Sequence, residues 1–267
     1  MPTVSLNSFK LHFVEQGQGT PLVCLHGFPL NHAMWKEQLA GLSYCYRVIA
    51  PDLQGFGQSE LATSNSERLT MEQLADDVNA LLDVLGITEP IVLCGLSMGG
   101  YVAWQFAKKY PSRLKGLIQC DTRAIADTPE GVANRHRLAG LVLENGAEVV
   151  STAMLPNLFA AITSERQQAA ISQMRDIIHA NSPRTIAAAL RGMAERPDVR
   201  AWLPQCDVPS LLICGIDDKI STVTEMQEMA RSMPRANLVV VPEAGHMAPL
   251  ENPAVVNAAI VEFIKQL

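Results

Sequence analysis

The chain has 267 residues, of which 48% are hydrophobic and 18% are charged. This composition excludes an intrinsically disordered protein, because such chains are poor in apolar residues. A formal net charge of −6 without any basic run argues against binding to DNA or RNA, whose phosphates require clustered lysine and arginine. Since no segment resembles a membrane span or a signal peptide, we expect a cytoplasmic protein with no membrane partner.

Eight short apolar segments predict β-strands, and most of the intervals between them show helical periodicity. Such an alternation is typical of a parallel sheet that carries helices on both faces. The first two segments alternate between apolar and polar residues and are nearly contiguous, which predicts an antiparallel hairpin at one sheet edge. The other six predict buried, parallel strands. The predicted strands lie near residues 2–6, 9–15, 21–26, 47–51, 90–96, 115–121, 209–215 and 237–242.

Two predicted helices carry clear terminal signals. Thr70 and Gln73 have the spacing of a capping box, and they precede an apolar stripe that ends at Gly86. Near the end of the chain, Asn252 and Pro253 predict the N-cap and the first residue of a last helix.

The interval between the strands near 115–121 and 209–215 contains no convincing strand and is far longer than a crossover connection needs. We interpret residues 122–205 as a helical cap inserted over one end of the sheet. Residues 1–121 and 206–267 then form the core domain. The helices of the cap are predicted near residues 130–144, 146–156, 163–180 and 183–195.

The six cysteines do not indicate a disulfide framework. Four of them lie within predicted strands, where we expect small, buried and free thiols of the kind found in reducing compartments. No Cys-x-x-Cys pair and no Cys/His ligand spacing is present, so the sequence predicts no metal site. The four are Cys24, Cys94, Cys120 and Cys214.

The segment that points to chemistry runs from residue 90 to residue 107. An apolar strand leads directly into Gly95-Leu96-Ser97-Met98-Gly99, and a helical pattern follows. This is a G-x-S-x-G motif in the strand-turn-helix setting that gives it meaning. The two glycines remove side chains that would collide with backbone in so tight a turn, and the helix dipole favours negative charge near the serine. We therefore predict that Ser97 is a nucleophile, the alternative being an exposed serine on a glycine-rich turn.

A serine nucleophile needs a base, and the base needs a carboxylate to orient it. His246 follows the last predicted strand, at the sheet edge where Ser97 is expected. Asp217 and Asp218 follow the strand near 209–215 at that same edge. Either aspartate can orient His246. The position of Asp218, three residues after Gly215, favours it, and Asp217 remains an alternative.

The chain order Ser97, Asp218, His246 resembles that of the α/β-hydrolase superfamily, and the resemblance covers essentially the whole chain. The sequence is most similar to the bacterial branch of esterases, lactonases and cofactor-free haloperoxidases or perhydrolases. Two further segments match this family, namely residues 25–29 (LHGFP) and residues 52–59 (DLQGFGQS). We interpret the second as a turn with an architectural role.

The resemblance implies an α/β-hydrolase fold, with an eight-stranded and mostly parallel sheet, and catalysis without a cofactor. It also implies an oxyanion hole formed by the backbone N–H groups of Phe28 and Met98. Two such donors, aimed in advance at the developing oxyanion, stabilise the transition state by several kcal/mol. His26 lies in the same segment as Phe28, and we interpret it as a residue that shapes the loop rather than as the base.

The function that the resemblance implies is a carboxylesterase, which cleaves small esters through an acyl-enzyme and whose partner is a small-molecule ester or lactone. Enol-lactonase activity is a narrower alternative, because Arg123, Arg135 and Arg137 are able to pair with a substrate carboxylate. A solvated helix face explains these arginines more simply. Perhydrolysis, suggested by the Phe28-Pro29-Leu30 stretch, and a non-turnover ligand receptor with an intact triad also stay open.

Overall fold

The eight predicted strands form a single sheet in the computed structural model, which describes residues 2–6 and 8–267. The strands are Thr3–Leu6 (β1), Phe9–Gln16 (β2), Pro21–Leu25 (β3), Arg47–Pro51 (β4), Ile91–Leu96 (β5), Leu114–Cys120 (β6), Ser210–Gly215 (β7) and Ala236–Val241 (β8). Their order across the sheet is β1-β2-β4-β3-β5-β6-β7-β8. The strands β3 to β8 are parallel, and β2 pairs antiparallel with both β1 and β4. The predicted hairpin and its place at the sheet edge are thereby confirmed.

One detail of the strand prediction is wrong. Only five of the six parallel strands are buried almost throughout, whereas β8 is half-buried along most of its length. The reason is its position, because β8 forms the second edge of the sheet and pairs only with β7.

Eleven α-helices occur in the described residues. They are Lys36–Leu42 (α1), Met71–Val84 (α2), Met98–Lys109 (α3), Pro129–Asn145 (α4), Glu148–Leu158 (α5), Ala161–Arg166 (α6), Gln168–Ala180 (α7), Pro183–Ala194 (α8), Val223–Ser232 (α9), Ala248–Glu251 (α10) and Pro253–Lys265 (α11). Two helix pairs, α1 with α11 and α2 with α3, pack against the sheet. None of these helices combines the length and the apolar character that crossing a membrane requires.

The predicted helix termini agree with the structure. The Thr70 side chain accepts a hydrogen bond from the backbone N–H of Gln73, whose side chain in turn accepts from the N–H of Thr70, so the capping box of α2 is complete. The Asn252 side chain caps α11, which begins at Pro253.

Five helices, α4 to α8, lie between β6 and β7, and we call them the inserted helices. The helix predicted near residues 163–180 is in fact two helices, α6 and α7. They are separated at Gln167, whose φ of −124° and ψ of 44° do not fit a continuous helix. The four cysteines of the strands are buried and free, as predicted.

The parallel register brings the carboxyl ends of the central strands together along one edge of the sheet, which is distinct from the two lateral edges formed by β1 and β8. Gly215 at the end of β7 lies opposite Val241 of β8, and Leu96 at the end of β5 lies opposite Cys120 of β6. The residues that directly follow β5, β6, β7 and β8 therefore meet at the same edge, which is where an open α/β sheet binds its ligands.

Candidate active site

Ser97 occupies the sharp turn between β5 and α3 in a strained backbone conformation, with φ of 52° and ψ of −112°. Two contacts hold this conformation. The N–H of Ser97 donates to the carbonyl oxygen of Cys120 at 3.0 Å, and Oγ1 of Thr122 donates to the carbonyl oxygen of Ser97 at 2.8 Å. Strain of this kind persists only where the surrounding structure fixes it, and it is common at reactive residues.

The two glycines of the motif are required by close backbone contacts. A Cβ atom on Gly95 would lie 2.3 Å from the carbonyl oxygen of Gly99. A Cβ atom on Gly99 would lie 2.2 Å from the carbonyl oxygen of Leu25, at the end of β3. The spacing of the motif therefore follows from one contact within the turn and one with β3, which together leave no room for a side chain two residues before or after Ser97.

Gly99→Ala is expected to lower the free energy of unfolding by about 3 kcal/mol, because the new methyl group overlaps backbone that cannot move aside. In a chain of this size the midpoint of thermal unfolding should fall by roughly 6–12 °C. Gly140→Ala is the matched control, since Gly140 lies within α4 with open space around it, and alanine should be neutral or stabilise that helix. Thermal unfolding measures both variants. A midpoint for Gly99→Ala equal to that of Gly140→Ala would refute the predicted overlap at position 99.

His246 and Asp218 form a buried pair at the same edge of the sheet. His246 Nδ1 lies 2.9 Å from Oδ2 of Asp218, and both side chains are almost inaccessible to solvent. The other oxygen of Asp218, Oδ1, accepts from the N–H groups of Ile220 and Ser221 at 2.7 and 3.0 Å. This arrangement fixes the imidazole through Nδ1 and leaves Nε2 as the atom able to take a proton.

The structure distinguishes between the two aspartates that follow β7. Asp218 reaches His246, whereas the side chain of Asp217 is exposed to solvent. The backbone explains the difference, because the Asp217 N–H donates to the carbonyl oxygen of Ala244 and the chain turns there. Within the described part of the chain the Ser97 hydroxyl is not hydrogen-bonded to His246; such contacts often tighten only when substrate binds.

The loop that carries Phe28 lies directly beside Ser97. A Cβ atom on Gly27 would lie 3.5 Å from Cβ of Ser97 and 2.7 Å from Cδ2 of Leu96. Met98 is the first residue of α3, where a helix offers free N–H groups. Among the described residues no acceptor is bonded to the N–H of Phe28 or of Met98, so both donors are available to a negatively charged oxygen.

His26 is fully engaged in shaping this loop. Its Nδ1 bonds to the carbonyl oxygen of Gly27 at 2.9 Å, and its Nε2 accepts from the N–H of Leu53 at 3.0 Å. Burial lowers the pKa of His26 to about 4, so the ring is neutral and uses both nitrogens to join two loops. This geometry agrees with the interpretation of His26 as a structural residue.

Asp52 organises the turn that follows β4. Its carboxylate accepts from Nδ1 of His12 at 2.8 Å and from Nδ1 of His32 at 2.7 Å. Burial opposes the ionisation of Asp52, but hydrogen bonds from His32 and Gln58 outweigh it and lower its pKa to about 2. The three side chains have the ligand types of a metal site, yet both Nδ1 atoms are already used as donors to the carboxylate.

A second buried carboxyl group lies at the site and was not anticipated from the sequence. Asp121 directly follows β6, and it accepts from the N–H of Gly215 at 2.8 Å and from that of Ala248 at 3.2 Å. Burial, together with the nearby Asp218, raises the pKa of Asp121 well above its usual range. The signal that could have found it is its position, because it ends a parallel strand at the edge that carries Ser97.

Two of the three arginines considered for substrate binding are paired within the protein. Arg123 is hydrogen-bonded to Glu225, and Arg135 is hydrogen-bonded to Asp127. Asp127 also pairs with the buried Arg196 at 2.8 Å. Glu225 balances the charge of Arg123, whereas Asp127 is shared by Arg135 and Arg196, so these last three side chains together keep one net positive charge.

The chain is similar to known proteins over nearly its full length. The family model for the alpha/beta hydrolase fold matches residues 20–253. The structure of a thermophilic esterase from Thermogutta terrifontis with malate bound is 43% identical and has a TM-score of 0.96. The match covers 100% of this chain and 99% of that chain. The enol-lactonase structure from Burkholderia xenovorans LB400 is 28% identical, with a TM-score of 0.90, and 99% of this chain matches 100% of it. The pimeloyl-[acyl-carrier protein] methyl ester esterase of Nitrosomonas europaea is 30% identical over an alignment of 252 residues, and the match covers 91% of this chain and 95% of that protein.

Proposed function

Because the chain belongs to the α/β-hydrolase family, we propose that it is a carboxylic-ester hydrolase with Ser97 as its nucleophile. His246 acts as the general base, and Asp218 orients it. The observation that carries this proposal is the buried contact of 2.9 Å between His246 and Asp218, at the sheet edge where Ser97 stands in a strained turn. The similarity to esterases of two organisms supports the same chemistry.

The reaction begins when Oγ of Ser97 attacks the carbonyl carbon of a small ester. Nε2 of His246 takes the serine proton and then gives it to the leaving alcohol, which produces an acyl-enzyme. Water repeats the sequence on the acyl group, with His246 again as the base, and the carboxylic acid is released. Asp218 holds the neutral imidazole in the tautomer that is protonated on Nδ1, and it stabilises the imidazolium that forms in each half-reaction.

The N–H groups of Phe28 and Met98 would stabilise the oxyanion of each tetrahedral intermediate. Met98 begins α3, whose dipole favours negative charge at that end. Loss of one such donor costs on the order of 3 kcal/mol of transition-state stabilisation in enzymes of this type. Residues 122–205 would act as a cap that selects the acyl and alcohol groups.

A fluorophosphonate probe combined with ester kinetics tests the proposal. We expect one equivalent of probe per chain, on the peptide that contains Ser97, because only an activated serine reacts with such reagents. We also expect p-nitrophenyl acetate to be hydrolysed for many turnovers. Release of one equivalent of p-nitrophenol without further turnover would instead indicate a ligand receptor and would overturn the proposal.

Lactone hydrolysis is a second candidate, favoured by the similarity to an enol-lactonase over 99% of the chain. The same acyl-enzyme chemistry opens a lactone ring, with the alcohol remaining attached to the acyl group. Recognition of a substrate carboxylate by Arg123 is not supported, because Arg123 is paired with Glu225. Competition of lactones and esters for the probe separates the two candidates.

A further inference from the structure

The backbone around His246 is held by contacts from outside its own loop. The N–H groups of Gly245 and Met247 both donate to Oε1 of Glu251, at 2.8 and 3.0 Å. The N–H between them, that of His246 itself, donates to the carbonyl oxygen of Leu158 at 2.9 Å. The position of the histidine is therefore set by one carboxylate and by the end of α5.

The second oxygen of the same carboxylate binds the inserted helices. Oε2 of Glu251 accepts from the N–H of Ala160 at 2.8 Å and from Oγ1 of Thr163 at 2.6 Å. Ala160 lies in the connection between α5 and α6, and Thr163 lies in the first turn of α6. One buried side chain thus makes four hydrogen bonds, two to the histidine loop and two to the insertion.

The two segments are also in direct backbone contact. A Cβ atom on Gly245 would lie 2.7 Å from the nitrogen of Ala160 and 2.9 Å from the carbonyl carbon of Phe159. No side chain separates the histidine loop from the insertion at this point. A displacement of the α5–α6 connection is therefore passed to His246 without intervening flexible groups.

We propose that Glu251 is a positioning residue that couples the inserted helices to the general base. It acts through backbone N–H groups on both sides of His246, and the ring faces Asp218 only while the α5–α6 connection is docked. This role rests on the proposed function, in which His246 is the base. Four donors facing two oxygens require an acceptor at each oxygen, and only a carboxylate provides that.

Glu251→Gln is the central test, because an amide of the same shape offers only one acceptor oxygen, so one pair of hydrogen bonds must be lost. We expect kcat for p-nitrophenyl acetate to fall by about 10- to 100-fold, with KM changed by less than about threefold, as misplacement of a catalytic group does. Glu262→Gln on the exposed face of α11 is the matched control and should behave as the unmodified protein.

A second readout does not depend on esterase activity. The Nδ1–H proton between His246 and Asp218 should give a low-field proton NMR resonance, which we expect to shift or broaden in Glu251→Gln. If the protein hydrolyses no ester, the proposed function fails, while this resonance still reports on Glu251. A folded Glu251→Gln variant that retains both kcat and the resonance would overturn the positioning role.

Thr163→Val tests the link to the insertion and also serves if Glu251→Gln does not fold. It removes one donor from the insertion and leaves the histidine loop untouched. We expect a decrease in kcat of about three- to tenfold and a shift of the same resonance. If Thr163→Val changes neither quantity, the coupling between the inserted helices and His246 is refuted.

Discussion

Ser97→Ala should lower kcat for p-nitrophenyl acetate by about 10⁶-fold, as removal of a triad serine does in other serine hydrolases. The methyl group of alanine cannot form the acyl-enzyme, and the remaining groups of the site only bind and polarise the ester. Steady-state kinetics measures the decrease, and mass spectrometry should detect no fluorophosphonate adduct.

The control for this variant is Ser232→Ala, on the exposed end of α9. It should hydrolyse the ester at the unmodified rate and bind the probe in full. Thermal unfolding must show that Ser97→Ala is folded, which we expect because alanine keeps the backbone N–H and carbonyl contacts that hold Ser97 in its turn. Retention of even one hundredth of the original kcat by a pure, folded Ser97→Ala protein would refute the nucleophile.

Asp218→Asn should lower kcat by about 10⁴-fold. An amide has one oxygen, and the N–H groups of Ile220 and Ser221 hold an acceptor at that position in the structure. The amide nitrogen then faces Nδ1 of His246 and donates to it, which moves the imidazole proton to Nε2. In that tautomer the histidine cannot accept the proton of Ser97.

Asp217→Asn is the matched control, because it makes the same chemical change at the neighbouring exposed position. Its kcat should stay within about twofold of the original, because solvent screens the exposed carboxylate of Asp217 and weakens its interaction with the buried His246. The pair of variants discriminates between the two aspartates left open by the sequence. A large loss in Asp217→Asn with little loss in Asp218→Asn would reverse the assignment.

The features that were predictable from the sequence are those fixed over a few residues. A side chain at Gly95 would collide with the carbonyl oxygen of Gly99 in its own turn, which makes Gly95 a local signal, whereas the glycine at position 99 is required by the distant Leu25 of β3. The capping box at Thr70 and the Asn252 cap are equally local, and both are present in the structure. The apolar strands likewise predicted the sheet, because burial on both faces leaves a continuous hydrophobic run.

The features that were not predictable depend on contacts between distant parts of the chain. Glu251 reads as an ordinary residue at the end of a short helix, and its partners Ala160 and Thr163 lie about ninety residues away. Asp121 becomes part of the site only because β6 and β7 are neighbours in the sheet. The break at Gln167 also has no glycine or proline to announce it, so one long helix was the simpler interpretation.

The contacts of Glu251 have a consequence for engineering by module exchange. Inserted helices are natural units to swap between related hydrolases when a new substrate range is wanted. Here the carboxylate belongs to the recipient core, whereas the Thr163 hydroxyl belongs to the donated segment. A chimera that replaces residues 122–205 therefore separates the two halves of one hydrogen-bonded unit. A swap that transfers the segment around residue 251 together with the helices keeps that unit intact.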